Sequence, residues 1–192
     1  MGDAIEDFEV ILDVLAGNRN SYAEIVRKYE GKVRGYCMSM LSDLAAAEDA
    51  AQEIFIKAYQ SLSGFRGNSS FSTWLYRISA NYCTDVLRKT ARKKTESWDA
   101  LLEKEGEKAE ALFSAPPEAR NAEHAELTSK LLEQLPEKSR TMLVLREIHG
   151  LSYQELAETL DCSIDSVKSR LKRARQELEI KMRHLLEGKA SK

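Results

Sequence analysis

The sequence predicts an all-α protein of two small helical domains joined by a flexible linker. Three observations predict it. Apolar residues recur at three- and four-residue spacing through most of the chain, the period of one helix face. Nine Gly and three Pro in 192 residues leave few turns, too few for many short strands. The periodicity lapses once, between Lys94 and Glu126, where Glu is frequent and Ala115-Pro116-Pro117 cannot sit inside a helix. The expected boundaries follow from that lapse: a first domain over 1–94, an acidic linker over 95–122 and a second domain over 123–188.

Each element has its own signal. Phe8, Ile11, Leu12 and Leu15 mark a first helix, ended by Gly17 and Asn18. Tyr22, Ile25, Val26, Tyr29, Val33, Tyr36, Cys37 and Met40 form one face of a long second helix. Gly31 and Gly35 fall inside it and weaken the case for an unbroken one. Ala47 to Leu62 reads as a third helix, broken by Gly64 and Gly67 in the loop SGFRGNSS. Ser70 or Ser72 can cap the next, whose apolar face holds Trp74, Leu75, Ile78 and Tyr82. A short helix is expected near Trp98 to Leu102 in the linker. In the second domain Leu127, Leu131, Leu132 and Leu135 mark a helix stopped by Pro136. Met142, Leu143, Leu145 and Ile148 mark another, stopped by Gly150. Ser152 with Glu155 forms a capping box for the third, and Ser163 caps the fourth, with Val167, Leu171 and Leu178 turned inward.

Composition removes several function classes. No apolar run is long enough to span a membrane, and the acidic start MGDAIEDFEV lacks the regions of a secretion signal. Cys37, Cys83 and Cys162 are far apart and form no zinc pattern, so free thiols in a reducing cytoplasm are expected. His124, His149 and His184 have no partners at catalytic or metal spacing, and no glycine-rich phosphate loop is present. Neither an enzyme nor a metal or cofactor is expected.

The formal net charge of −2 hides a segregation along the chain. Arg88 to Lys94 and Lys168 to Arg175 are basic, whereas Glu96 to Glu126 is acidic. An acidic connector between two basic modules should weaken DNA binding by the free protein. The stretch Leu151 to Arg175 holds two short helical patterns and a tight connection, the pattern of a helix-turn-helix. Its second helix carries Lys168, Ser169, Arg170, Lys172, Arg173 and Arg175, which can meet base edges and phosphates. In the first domain Phe65, Asn68, Phe71, Trp74, Arg77 and Asn81 mix aromatic, amide and basic groups around one loop and helix. Such a surface suits unstacked bases, although Phe71 and Trp74 are residue types more often found in cores. Asp49, Gln52, Glu53 and Lys57 form a polar face on the preceding helix.

Asp49 to Lys89, reading DAAQEIFIKAYQSLSGFRGNSSFSTWLYRISANYCTDVLRK, closely resembles region 2 of bacterial sigma factors. Leu135 to Arg175 resembles region 4, and the pair resembles the extracytoplasmic-function group, which keeps only these two domains. The resemblance implies roles by position. Asp49, Gln52, Glu53 and Phe55 would grip the coiled coil of the polymerase core. Ser61, Phe65 and Asn81 would line a pocket for a flipped base of the −10 element, beside a specificity loop from Gly67 to Phe71 that includes Asn68. Arg77, Arg88 and Lys89 would meet nearby phosphates. Lys168, Ser169, Arg170, Lys172, Arg173 and Arg175 would read the −35 element. Implied partners are RNA polymerase core, promoter DNA and an anti-sigma protein, often membrane-anchored. The alternatives are a conventional helix-turn-helix regulator, which would footprint two half-sites unaided, and a helical adaptor with an incidental basic face.

Overall fold

The computed structural model describes the backbone of residues 2–98 and 127–190 and the side chains of residues 6–92 and 127–184. Among the described residues every regular element is a helix. The first module holds α1 (Gly2–Leu15), α2 (Tyr22–Leu41), α3 (Leu44–Ser61) and α4 (Phe71–Trp98). The second holds α5 (127–133), α6 (Glu137–Leu143), a π turn over Val144–Ile148, α7 (Tyr153–Thr159) and α8 (Ile164–Ala190). Helix α4 runs past Lys94 to Trp98. The expected linker beyond it, the rest of the Trp98–Leu102 helix and the start of the second domain at 123 lie outside the described residues.

Helix α2 is unbroken through Gly31 and Gly35. Each glycine costs about 1 kcal/mol against Ala. Burial of Ile25, Tyr29, Val33, Tyr36, Cys37 and Met40 outweighs that, at about 1.5–3 kcal/mol for each large apolar side chain. Ser42, with φ 57°, ends the helix, and its N–H donates to the Met38 carbonyl. Asp43 then caps α3 by accepting from Ala46 N at 2.7 Å. Ser70 Oγ accepts from Thr73 N at 3.1 Å and starts α4. The Ser152–Glu155 capping box forms on both sides, and Ser163 Oγ accepts from Ser166 N at 3.2 Å.

The first helix differs from expectation in phase. Phe8, Leu12 and Leu15 are 44%, 51% and 47% exposed, while Asp7, Ile11 and Val14 are buried. A carboxylate takes a core position there. Asp7 accepts from the Tyr29 hydroxyl at 2.5 Å and pairs with Lys28 Nζ at 2.8 Å, so its burial is compensated. Apolar counting places Ile11 inward, as found, but shifts the face around it because it cannot see a satisfied carboxylate. Ile148 is likewise exposed, although its spacing placed it inward.

The two modules dock, and one contiguous apolar core runs through both. Helix α4 packs on α7, and α2 packs on the π turn. The contact carries polar bonds. Arg140 Nη1 donates to the Met40 carbonyl at 2.6 Å. The Tyr76 hydroxyl and His149 Nδ1 share a hydrogen bond of 2.9 Å. Arg88 pairs with Glu137 at 2.6 Å. Gly35 lies at this contact, with the His149 ring 3.9 Å from where a Cβ would stand.

His149 makes the docked state sensitive to acid. Its ring packs on Tyr36 and Tyr76, and burial, then the Lys32 charge, lowers its pKa below the usual value. The unfolded imidazole takes a proton near pH 6.5 and the docked one does so lower, so the unfolded state binds more protons in that window. Stability is expected to hold above pH 6.5 and to fall as the pH drops through it toward the lowered value. Thermal unfolding from pH 7.5 to 5.5 checks this, and His149→Gln should flatten the acid slope.

Cys37 and Cys83 meet in the first module, Sγ to Sγ at 3.8 Å, both buried and unbridged. Contact with the Cys37 thiol, then burial, raises the Cys83 pKa, which keeps that thiol protonated and unreactive. The third cysteine, Cys162, is half-buried in the turn before α8.

Candidate nucleic-acid interface

The turn between α7 and α8 is short because Asp161 adopts φ 48°, a left-handed position that Asp tolerates better than most residues. Helix α8 then buries Val167, Leu171 and Ala174 against the module. The same spacing turns Lys168, Ser169, Arg170, Lys172, Arg173 and Arg175 outward, and all six are exposed. They are not electrostatically equal. Lys168 pairs with Asp165 at 3.1 Å, and Arg175 with Glu147 at 2.7 Å. The Glu147 hydrogen bond is the main cause raising the Arg175 pKa. Ser169 Oγ donates to the Ser166 carbonyl at 3.0 Å. Among the described residues Arg170, Lys172 and Arg173 have no carboxylate partner, so they can meet phosphate or base edges without breaking a pair.

On the first module α4 has two faces. Phe71, Trp74 and Leu75 are buried, whereas Arg77, Asn81 and Arg88 share one exposed face at helical spacing. The buried rings belong to an aromatic cluster. Phe71 and Trp74 are 5.4 Å apart, and Phe65 lies 5.6 Å from Phe71 and 5.4 Å from Trp74. Phe65 is half-buried and keeps part of its ring open. Phe71 is 2% exposed, so the ring expected at the −10 surface packs inside the module and is not open to a base. Asn68 and Lys89 are exposed. Ser61 is exposed too, but its hydroxyl donates back to the Lys57 carbonyl at 2.6 Å. Arg88 does not stand free for phosphate: the Glu137 hydrogen bond holds it and raises its pKa.

The polar face of α3 splits into two ridges. Asp49, Glu53 and Lys57 run beside Tyr82, whose phenol pKa is raised by burial and then by the Glu53 carboxylate, with Asp49 adding to it. Gln52 and Phe55 instead face α2 across a cleft of about 400 Å³. Phe55 is buried at its floor, and its carbonyl accepts from the Tyr22 hydroxyl at 2.8 Å. Val26, already counted on the apolar face of α2, lines the cleft with Glu30, Arg34, Glu48, Ala51 and Ile56, none of which was expected at the polymerase surface. The signal for Ile56 was present: a large aliphatic residue on an otherwise polar ridge, half exposed here. No group of acidic, His and Cys residues that could hold a metal occurs among the described residues. No described helix is long and apolar enough to cross a membrane.

Comparison with known proteins agrees with this arrangement. The sigma-70 region 2 model matches residues 25–93, and the sigma-70 region 4 model matches residues 126–178. The chain is 37% identical to the RNA polymerase sigma-H factor of Pseudomonas aeruginosa, over 94% of this chain and 96% of the relative. It is 34% identical to the ECF RNA polymerase sigma-E factor of Escherichia coli K12, over 97% and 99%. In solved structures the same fold occurs in CnrH, in complex with the cytosolic domain of CnrY, with a TM-score of 0.69 at 23% identity over 96% of this chain and 99% of that one. It occurs also in the sigma factor RpoE of Bartonella quintana, in complex with the anti-sigma factor NepR, with a TM-score of 0.62 at 24% identity over 84% and 96%. A region 2 match beside the helix-turn-helix excludes a conventional regulator with an unrelated N-terminal domain. The chain belongs to the sigma-70 family, in the extracytoplasmic-function group: it is a factor that directs RNA polymerase to promoters, and not an enzyme.

Proposed function

We propose that three surfaces divide the work of initiation. The α2–α3 cleft, with Gln52, Phe55 and the neighbouring Asp49 and Glu53, takes the polymerase core. Phe65, with Asn81 on the exposed face of α4, captures an unstacked −10 base beside the Gly67–Phe71 loop, and Arg77 meets a nearby phosphate. Helix α8 reads the −35 element. The observation that carries this reading is α4 itself, where Arg77 and Asn81 stand exposed on the same helix whose Phe71 and Trp74 pack with Phe65 in an aromatic cluster.

Magnitudes explain the need for a polymerase. Opening a dozen base pairs costs about 15 kcal/mol, at about 1.4 kcal/mol per stacked step. Stacking a captured base returns about 1–3 kcal/mol. One pocket nucleates opening and the core must hold the rest. Run-off transcription with core polymerase on a random-promoter pool tests the reading. Selected −10 and −35 elements support it, and start sites indifferent to sequence would sink it.

On α8, Arg173→Ala is expected to cost about 1–3 kcal/mol at promoters with the cognate −35 element, about 5- to 150-fold in initiation. The salt slope of binding should fall by about one unit. Measuring both on promoters with and without that element checks the assignment, because equal loss on both would place Arg173 elsewhere.

The same reading gives the chain an anti-sigma partner and a place in the cytoplasm beside the polymerase. Two solved proteins of this fold are held in such complexes or with a cytosolic partner domain. Here an open apolar cleft of about 600 Å³ between the modules, lined by Met38, Leu132 and Ile148, supports a wedged partner segment.

A further inference from the structure

Helix α1 precedes the part of the chain that the region 2 model matches, and none of the roles above falls on it. Its exposed residues include Phe8, Leu12 and Leu15, and Phe8 is not left wholly to solvent. The Phe8 ring reaches the loop between α3 and α4. A Cβ built on Gly67 would stand 3.5 Å from Phe8 Cε2 and 3.8 Å from Cδ2, ordinary van der Waals contact. Gly67 has φ +68°, the left-handed region, so the loop turns sharply at the point where the ring meets it.

The neighbouring residue ties α1 to the other side of the same site. Buried Asp7 accepts from the Tyr29 hydroxyl. The Tyr29 ring packs on Phe71 at 5.4 Å, and Phe71 packs on Phe65 and Trp74. Two consecutive residues of α1 thus bear on the base-capture site: Phe8 directly, at the loop backbone, and Asp7 indirectly, through Tyr29. A loop of small residues has few contacts of its own to hold one shape. Ser70 Oγ lies 2.9 Å from Ser72 Oγ and 2.8 Å from Thr73 Oγ1, which orders its exit into α4, while its tip at Gly67 leans on Phe8.

We propose that Phe8 is a positioning residue for −10 specificity: its ring holds the Gly67 turn in place and so sets which base the loop accepts. This rests on the reading that the Gly67–Phe71 loop captures a base. A base contact of this kind discriminates by about 5- to 150-fold, and a loop that loses its support loses alignment before it loses binding.

The test is promoter selection with full-length chain and core polymerase, scored as initiation on the four bases at the captured position. Phe8→Ala is expected to shrink the ratio of best to worst base by about fivefold, with core binding unchanged. Phe8→Tyr, which keeps the ring, should restore the ratio. Leu12→Ala, equally exposed one turn along the same helix, is the control, because a general effect of helix stability would move it too. Asn68→Ala and Asn81→Ala separate the two levels of the argument. If neither alters base preference, the capture reading fails and Phe8 with it. If they alter it and Phe8→Ala does not, or if Leu12→Ala matches Phe8→Ala, the positioning role alone is overturned.

Discussion

Phe71→Ala is expected to lower the stability of the protein by about 3–5 kcal/mol, the cost of deleting a buried aromatic ring. The ring stands at the centre of the Tyr29–Phe71–Trp74–Phe65 cluster, so its loss opens a cavity where α2, α4 and the loop meet. Urea unfolding should show a lower midpoint with an unchanged slope. Open-complex formation should fail even at temperatures where the variant stays folded, because Phe65 loses the surface that orients it. Phe71→Leu should recover most of the stability and little of the melting. Recovery of both would reduce Phe71 to simple filler.

Arg140→Ala is expected to weaken docking of the two modules. Its guanidinium donates to the Met40 carbonyl at the end of α2, where a cation also meets the negative end of the helix dipole. Loss of such a charge-assisted bond costs about 2 kcal/mol, about 30-fold in the docking equilibrium. The direction of the functional effect follows from lengths. Elements at −10 and −35 lie roughly 25 base pairs apart, about 85 Å of B-DNA at 3.4 Å per pair. A compact chain of this size has a radius of gyration of about 16 Å. Docked modules cannot reach both elements, and Arg88 is held by Glu137 while they stay docked. Undocking therefore favours promoter engagement. Small-angle scattering should report a larger radius for Arg140→Ala, and less factor should be needed for half-maximal transcription. A larger radius with no gain in transcription would mean that docking does not limit engagement.

Local ion pairs give a second reason for the weak DNA binding expected of the free chain. The acidic segment from Glu96 to Glu126 was expected to screen the basic modules. The described residues add local pairs: Glu137 on Arg88, Glu147 on Arg175 and Asp165 on Lys168. These are exposed pairs, each worth little, yet they occupy three of the cations that the resemblance assigns to DNA. Arg170, Lys172 and Arg173 are better candidates for the leading contacts on α8 because nothing among the described residues competes for them.

The sequence by itself determined the helices, both capping serines of the helix-turn-helix, the outward row on α8 and the family, because each depends on residues near in the chain. Helical spacing places Val167 and Leu171 inward and so must place Lys168, Lys172 and Arg173 outward. The tertiary structure alone decided which way α1 faces, that Phe71 is buried at the centre of an aromatic cluster, that Gln52 and Asp49 lie on different ridges, and that the modules dock through Arg140, Tyr76 and His149. The physical reason is common to all four. A residue's pattern shows that it is buried or polar, but only its partner, often twenty or more positions away, settles what buries it or what satisfies its charge. Asp7 is the plainest case: acidic in sequence, it sits in the core because Tyr29 and Lys28 meet it there.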